Sequence, residues 1–335
     1  MGNNTPQQHT NEKDSKRVRV LRVIAGLMPF WFLYAISDVA FVIMYHLVRY
    51  RRRIVRHNLA TSFPEKTALE RLKLERRFYR WLCDYFVETF KLLNISDKEL
   101  RKRLNIKGAE EVEKCFQEGQ DCSAFLGHYC NWEWLSCMGI AFPKNRKMGL
   151  IYKPLRSEWA DKLFQKIRTS QPSSIVIPKN EILRNIVTLR RQNIRSFCGY
   201  IADQGPRYSN IHLWLDFLNH DTGVFTGAER IMRKMNNAVF YIDLERPKRG
   251  YYTATLHLIT RNPAEWKEHE LTRHFFKLLE QTIRREPAYY LWTHNRWKRS
   301  HEQFDKEYVI VDGKTMPRKQ ERADSANKET TSSNQ

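Results

Sequence analysis

The stretch FLGHYCNWEW, residues 125–134, places a histidine after an apolar run and a glycine, with a carboxylate five positions further on at Glu133. An imidazole beside a carboxylate is the equipment of general base catalysis. The carboxylate fixes the tautomer and stabilises the cation while the other ring nitrogen takes a proton from a hydroxyl. On a regular helix His128 and Glu133 would stand about 140° apart, so they can meet only if the chain turns between them. The local sequence offers that turn: SAFLG reads as the end of a strand, Gly127 as a relaxed backbone position, and Asn131 as the N-cap of a helix beginning WEWLSCMGI. His128 would then lie on a strand-to-helix loop, with Glu133 in the first turn of the helix. The spacing alone is equally compatible with a histidine that satisfies one hydrogen bond in an aromatic core. Cys130 offers a rival thiol nucleophile, but adjacency to His128 in sequence is not the geometry of a thiol–imidazole pair, and buried cysteine is commonly inert.

Chemistry of this kind needs a scaffold, and the rest of the chain carries the pattern of one. The apolar runs SAFLG, MGLIY, SSIVIP, FCGYIAD, AVFYIDL and YTATLHLI read as strands, with helical patterns near 109–118, 156–169, 180–192, 226–236 and 268–285. The alternation implies an α/β fold with a largely buried central sheet. Loops at the carboxyl ends of the strands are where such sheets place their ligands. Upstream, the segment from Thr67 opens with a T-x-x-E capping box and repeats apolar residues at Phe78, Leu82, Phe86, Phe90 and Leu93. It is a long amphipathic helix whose aromatic stripe faces core or membrane.

The first 17 residues are polar and lack the features of a secretory signal, so they read as a solvated arm. Residues 23–48 come next, a run of 26 dense in Phe, Trp and Tyr and long enough to cross a bilayer. Pro29 interrupts it, and Asp38 near its centre would cost roughly 2.5–3.5 kcal/mol in a span unless shielded. A tilted span, a re-entrant hairpin, an interfacial helix and a buried helix all fit the pattern. Basic residues flank both ends (Lys16, Arg17, Arg19 and Arg22; then Arg49, Arg51, Arg52, Arg53 and Arg56), which suits anionic headgroups but assigns no orientation. The expected organisation is an arm over 1–17, a membrane anchor over 18–56, a catalytic domain over 57–310 and a disordered polar tail over 311–335.

Of the 335 residues, 41% are hydrophobic and 13% aromatic, enough for a sizeable core, so a disordered chain is excluded. The formal net charge of +21 favours an acidic partner: nucleic acid, anionic lipid or an acidic carrier protein. A membrane-tethered nucleic-acid binder would use the same charge, but no nucleic-acid motif accompanies it. A membrane scaffold without activity would need neither His128 nor Glu133. The six cysteines form no C-x-x-C pair and no zinc-like spacing, and read as free thiols of a reducing compartment without a metal site.

Several stretches together resemble a known family. GHYCNWE is similar to the signature of the H-x-x-x-x-D/E acyltransferases, a superfamily that includes lysophospholipid acyltransferases. YRRRIVRHNLATSFPEK at 50–66, YKPLRSEWADKLFQKIR, ADQGPR and YYLWTHNRWK at 289–298 resemble, in order and spacing, blocks of the bacterial lipid A late acyltransferases, of lauroyl and myristoyl type. The resemblance runs from about residue 20 to 300. It implies a glycerolipid-acyltransferase-like mixed sheet flanked by helices, with one N-terminal membrane-anchoring helix. It also implies His128 as general base, Glu133 as its partner, and Arg168, Asp203, Gln204 and Arg207 as substrate-binding residues. The implied donor is an acyl carrier protein thioester, and the implied acceptor is a glycolipid hydroxyl; a lysophospholipid or aminolipid acceptor is the alternative. No cofactor, metal or nucleic acid is implied, and the implied location is the bacterial inner membrane with the catalytic domain in the cytoplasm. The segment FLNHDTGVFTGAERI departs from the family's Thr-rich pattern, which leaves acyl-chain selection and the roles of Thr222 and Thr226 open.

Overall fold

The structure, a computed structural model, describes residues 16–155, 157–311 and 313–318. It begins with α1 (Lys16–Leu27) and α2 (Phe30–Val42), broken at Pro29, and α2 runs on as a π-helical segment, Ile43–Val48. Next come α3 (Arg52–Ser62), α4 (Ala68–Lys91), α5 (Asp97–Arg103), β1 (Leu104–Lys107), α6 (Ala109–Gln117) and β2 (Cys122–Leu126). A 3₁₀ segment, Trp132–Ala141, leads into β3 (Lys147–Tyr152), α7 (Glu158–Arg168), β4 (Ser174–Pro178), α8 (Ile182–Arg191) and β5 (Ser196–Ile201). Then come β6 (Leu213–Phe217), β7 (His220–Val224), α9 (Gly227–Met235), β8 (Ala238–Lys248), β9 (Tyr251–Thr260) and α10 (Glu270–Arg285). The described chain closes with α11 (His301–Glu307), β10 (Tyr308–Val311) and β11 (Lys314–Pro317).

The main sheet has the order β1-β9-β8-β2-β5-β3-β4, parallel except for the β8–β9 hairpin, and helices flank it. The mixed α/β class follows from the alternation of apolar runs with helical patterns. β2 is the middle strand, and all five of its residues are buried, Ser123 with its hydroxyl accepting from Asn237 at 2.8 Å. On either side it pairs in parallel with β5 and β8.

Helix α4 starts where the capping box places it. Thr67 accepts from the Glu70 backbone amide at 3.3 Å, and the Glu70 carboxylate accepts from the Thr67 amide at 2.7 Å. Phe78 and Leu82 of its stripe are in the core, whereas Phe86 is half exposed. Two hairpins, strand β1 and the helices α3, α5 and α11 add to the expected elements. β6–β7 turns through Leu218 and Asn219, both with positive φ, and a leucine there hides the turn from its usual asparagine–glycine signature. β10–β11 is a hairpin in what reads as polar tail, while residues 319–335 lie outside the described residues, as do residues 1–15 of the arm.

The long apolar N-terminal run is neither one straight helix nor a core helix. α2 lies antiparallel along α4, with Phe30, Leu33, Ser37, Phe41 and Tyr45 buried as one stripe at helical spacing. Lys91, at the end of α4, donates to the carbonyls of Ala25 (2.6 Å), Gly26 (3.2 Å) and Met28 (2.7 Å), capping α1 at the break.

Candidate active site

The parallel register of β2 and β5 sets Leu126 beside Ile201, an offset of 75 residues. Two residues past each strand, the same offset sets His128 against Asp203 at the carboxyl edge of the sheet. The Asp203 carboxylate accepts twice from His128, from ring Nδ1 at 2.6 Å and from the backbone amide at 3.1 Å. The Asp203 side chain is 2% exposed and that of His128 16%, so the pair is sheltered but reachable. Burial alone would raise the Asp203 carboxyl. The charge and hydrogen bonds of His128, with the charge of Arg296, outweigh it and hold Asp203 below the usual carboxylate range. With Nδ1–H committed to Asp203, the lone pair of the ring is on Nε2, and the Gln204 amide stands 3.1 Å from that nitrogen.

Glu133 is bonded to Arg168 rather than to His128. The expected helix after Asn131 is a 3₁₀ segment, and Asn131 does not cap it: its side chain amide donates to Glu88 at 3.1 Å. The tighter winding points Glu133 to α7, where its oxygens accept from Arg168 Nε at 2.8 Å and Nη2 at 2.6 Å. Arg168 is therefore held in a bidentate, largely buried pair rather than on a solvated helix face. Gly127 also has a role other than backbone freedom: a Cβ there would lie 2.5 Å from Leu279 Cδ1, so the glycine permits close approach of α10 to the loop. Cys130 is buried, and burial pushes its thiol far up, which disfavours the thiolate a nucleophile needs.

His128, Gln204, Glu133 and Arg168 border one cavity of about 500 Å³. The remaining wall is largely apolar, including Leu135, Met138, Met148, Leu150, Phe197 and Ile201. Phe197, Gly199 and Ile201 alternate along β5, so the cavity lies on one face of that strand, and Gly199 contributes space where a side chain would stand. An imidazole at the rim of an apolar cavity suits a substrate with a long hydrocarbon chain and a polar reacting group. Arg207 is exposed, before a short 3₁₀ turn, and does not border the cavity.

Residues 8–299 match the family described as bacterial lipid A biosynthesis acyltransferase. The chain belongs to that family. It is 22% identical over 251 residues to the lipid A biosynthesis palmitoleoyltransferase of Escherichia coli (strain K12), an overlap of 74% of this chain and 79% of that protein. The lipid A biosynthesis acyltransferase of Shigella flexneri is similar to the same extent. This lipid A acyltransferase family member is accordingly an enzyme of acyl transfer, and the family's place is lipid A synthesis.

The structure also shows what the C-terminal signature YYLWTHNRWK of this acyltransferase holds. Cys130 donates its backbone amide to Tyr289 O at 2.8 Å, and Leu291 donates to His128 O at 3.2 Å, so the signature pairs with the His128 loop like a short strand. Cys130 takes a left-handed φ of 48° in that loop. Tyr290 and buried Arg296 face Asp203. His294 accepts from the Gly205 amide at 3.4 Å, which seats the loop carrying Gln204. Gly205 passes so close that a Cβ would lie 2.9 Å from Arg296 O. The block at 50–66 grips the signature from outside: Asn58 donates to Trp292 O at 2.9 Å and His294 O at 3.0 Å, and Arg51 donates to Thr293 O at 3.1 Å. These supports connect residues over 230 positions apart, and only the order of the resembling blocks hinted at them. Thr222 is a bracket of the same kind, accepting from Trp297 Nε1 at 2.9 Å, while Thr226 precedes α9 without capping it by its side chain.

Proposed function

We propose that this chain transfers a fatty acyl group from an acyl carrier protein thioester to a hydroxyl of a lipid A precursor, at the cytoplasmic face of the bacterial inner membrane and without a cofactor. His128 Nε2 removes the proton of the acceptor hydroxyl, taking the place that the Gln204 amide occupies. The freed oxygen attacks the thioester carbonyl, giving a tetrahedral intermediate. Collapse breaks the carbon–sulfur bond, and the His128 cation returns its proton to the departing thiolate. Asp203 orients the ring and stabilises that cation. Arg168, clamped by Glu133, binds an anionic part of the substrate at the cavity wall, and the apolar cavity takes the acyl chain. Arg207, outside the cavity, contacts substrate only beyond its rim. The net charge of +21 attracts an acidic carrier protein and an anionic membrane alike.

The observation that carries this reading is the Asp203–His128 pair bordering an apolar cavity in a chain of this family. The test is mass spectrometry of the lipid products formed by the full-length protein. Acyl carrier proteins and coenzyme A esters of several chain lengths serve as donors, and a tetra-acyl lipid A precursor, a lysophospholipid and an aminolipid as acceptors. The reading requires an acyl-sized mass gain on the lipid A precursor from the carrier-bound donor. A gain confined to another acceptor, or to coenzyme A donors, overturns the corresponding part.

A further inference from the structure

The N-terminal helices carry a second functional surface. α2 and its π-helical continuation, Phe30–Val48, are long and apolar enough to cross a bilayer, yet most of that segment is not buried: only Phe30, Leu33, Ser37, Phe41 and Tyr45 are. Its buried stripe is tied to α4 along the whole length. Tyr45 packs its ring on Tyr79 at 5.3 Å, and Arg80 lies 5.1 Å from the Phe41 ring. Ser37 donates to Asp84 at 2.6 Å, and Tyr34 donates to Glu88 at 3.0 Å. Behind these contacts is a dense ionic layer: Asp84 is bonded by Arg246 at 2.6 Å and Arg249 at 2.6 Å, while Asp38 on the flank of α2 is bonded by Arg249 at 2.7 Å. Were α2 to span the bilayer in this arrangement, α4 and its charges would go into the hydrocarbon with it. Each such charge at membrane depth is strongly unfavourable.

The opposite face has the character of a surface made to be covered. Val20, Val23, Ile24 and Leu27 of α1 are exposed, and α2 continues the strip with Trp31 (72%), Val39 (61%) and Leu47 (73%). Exposed basic residues stand at both ends, Lys16, Arg17 and Arg19 before it and Arg49, Arg51 and Arg53 after it. An apolar strip parallel to the domain surface and bracketed by cations matches a bilayer of anionic lipid, with tryptophan and arginine at headgroup level.

We propose that α1 and α2 form a membrane-docking surface that lies in the plane of the bilayer interface, immersing one face in a single leaflet without crossing it. This rests on the membrane-bound reading above but not on its chemistry. The test uses the full-length protein in vesicles of phosphatidylcholine and phosphatidylglycerol, with single spin labels on Trp31→Cys, Val39→Cys or Leu47→Cys. The native cysteines are buried, so labelling is selective. In-plane docking gives similar shallow depths at all three positions, roughly 5–10 Å into the headgroup boundary. A label at 39 in the bilayer centre, with 31 and 47 near opposite headgroups, would overturn the in-plane mode and leave acyl transfer standing. Labels in water at all three positions would sink membrane attachment as well. As a check independent of labelling, Val39→Asp should leave thermal unfolding unchanged, because the side chain is exposed. It should reduce vesicle binding roughly tenfold to a hundredfold; undiminished binding would also overturn the proposal.

Discussion

Replacing Asp203 by asparagine keeps the shape of the side chain and removes one acceptor from a site where neither oxygen is spare. One carboxylate oxygen accepts from His128 Nδ1 at 2.6 Å and the other from the His128 amide at 3.1 Å. Asparagine has one acceptor oxygen and one amino group that only donates. With the oxygen towards the ring, the amino group abuts the His128 amide, donor against donor. Turned over, it donates to Nδ1 and forces the ring proton onto Nε2, the nitrogen proposed to act as base. Either state loses a charge-assisted hydrogen bond of about 1.5–3 kcal/mol, and the second also holds the wrong tautomer. The expected fall in kcat is on the order of 10²–10³-fold, with the KM for acyl donor little changed. Glu133→Gln, by contrast, disturbs Arg168 and not the base, so it should act chiefly on KM, with kcat down by less than about tenfold. Steady-state acyl transfer with a radiolabelled carrier-bound donor measures both. Asp203→Asn within a few-fold of wild type, together with Glu133→Gln as inactive as His128→Ala, would assign the support of His128 to Glu133 instead.

Other consequences are testable. Burial pushes the His294 imidazole from an ordinary 6.5 down to about 4. Between those values the unfolded chain holds a proton that the folded one refuses, so stability is full above pH 6.5 and falls as pH drops towards 4. The loss is on the order of 3 kcal/mol, and urea unfolding of His294→Gln should show a shallower fall over that window than wild type. Gly199→Val on the cavity face of β5 should shift donor preference to shorter acyl chains. Each methylene displaced costs about 0.8 kcal/mol, close to fourfold in kcat/KM per carbon, read by competition between donors. Gly127→Ala sets a Cβ 2.5 Å from Leu279 Cδ1 and should destabilise by about 1–3 kcal/mol. Adding Leu279→Val should recover part of that in chemical denaturation, and strict additivity of the two changes would count against the contact.

What the sequence made legible is what local pattern controls. Apolar runs such as SAFLG and FCGYIA became β2 and β5, and the capping box at Thr67 started α4. The position of His128 after β2 comes from the same local reading. Its partner does not, because a five-residue spacing speaks only for the turn between the two residues, and that turn is 3₁₀ and directs Glu133 to Arg168. Asp203 reaches His128 through the parallel register of two strands, a relation between residues 75 apart that no local spacing encodes. It was foreshadowed only by the family-like ADQGPR block lying past a strand. The bracing of the His128 loop by Tyr289 and Leu291, and of that segment by Asn58, depends on tertiary packing alone. The anchor is similar: its length and hydropathy permit a span, and only the packing of Ser37 and Tyr34 on α4 shows how it is held.

We propose His128 as the base of an acyl transfer. Its most direct test is a single-turnover experiment in which enzyme in excess meets carrier-bound acyl donor and lipid A precursor, and product is counted by mass spectrometry for wild type and His128→Ala. Circular dichroism melting of the two proteins confirms equal folding. His128→Ala, folded as the wild type is, should form product at least about 10³-fold more slowly. Transfer by His128→Ala at the wild-type rate would contradict it.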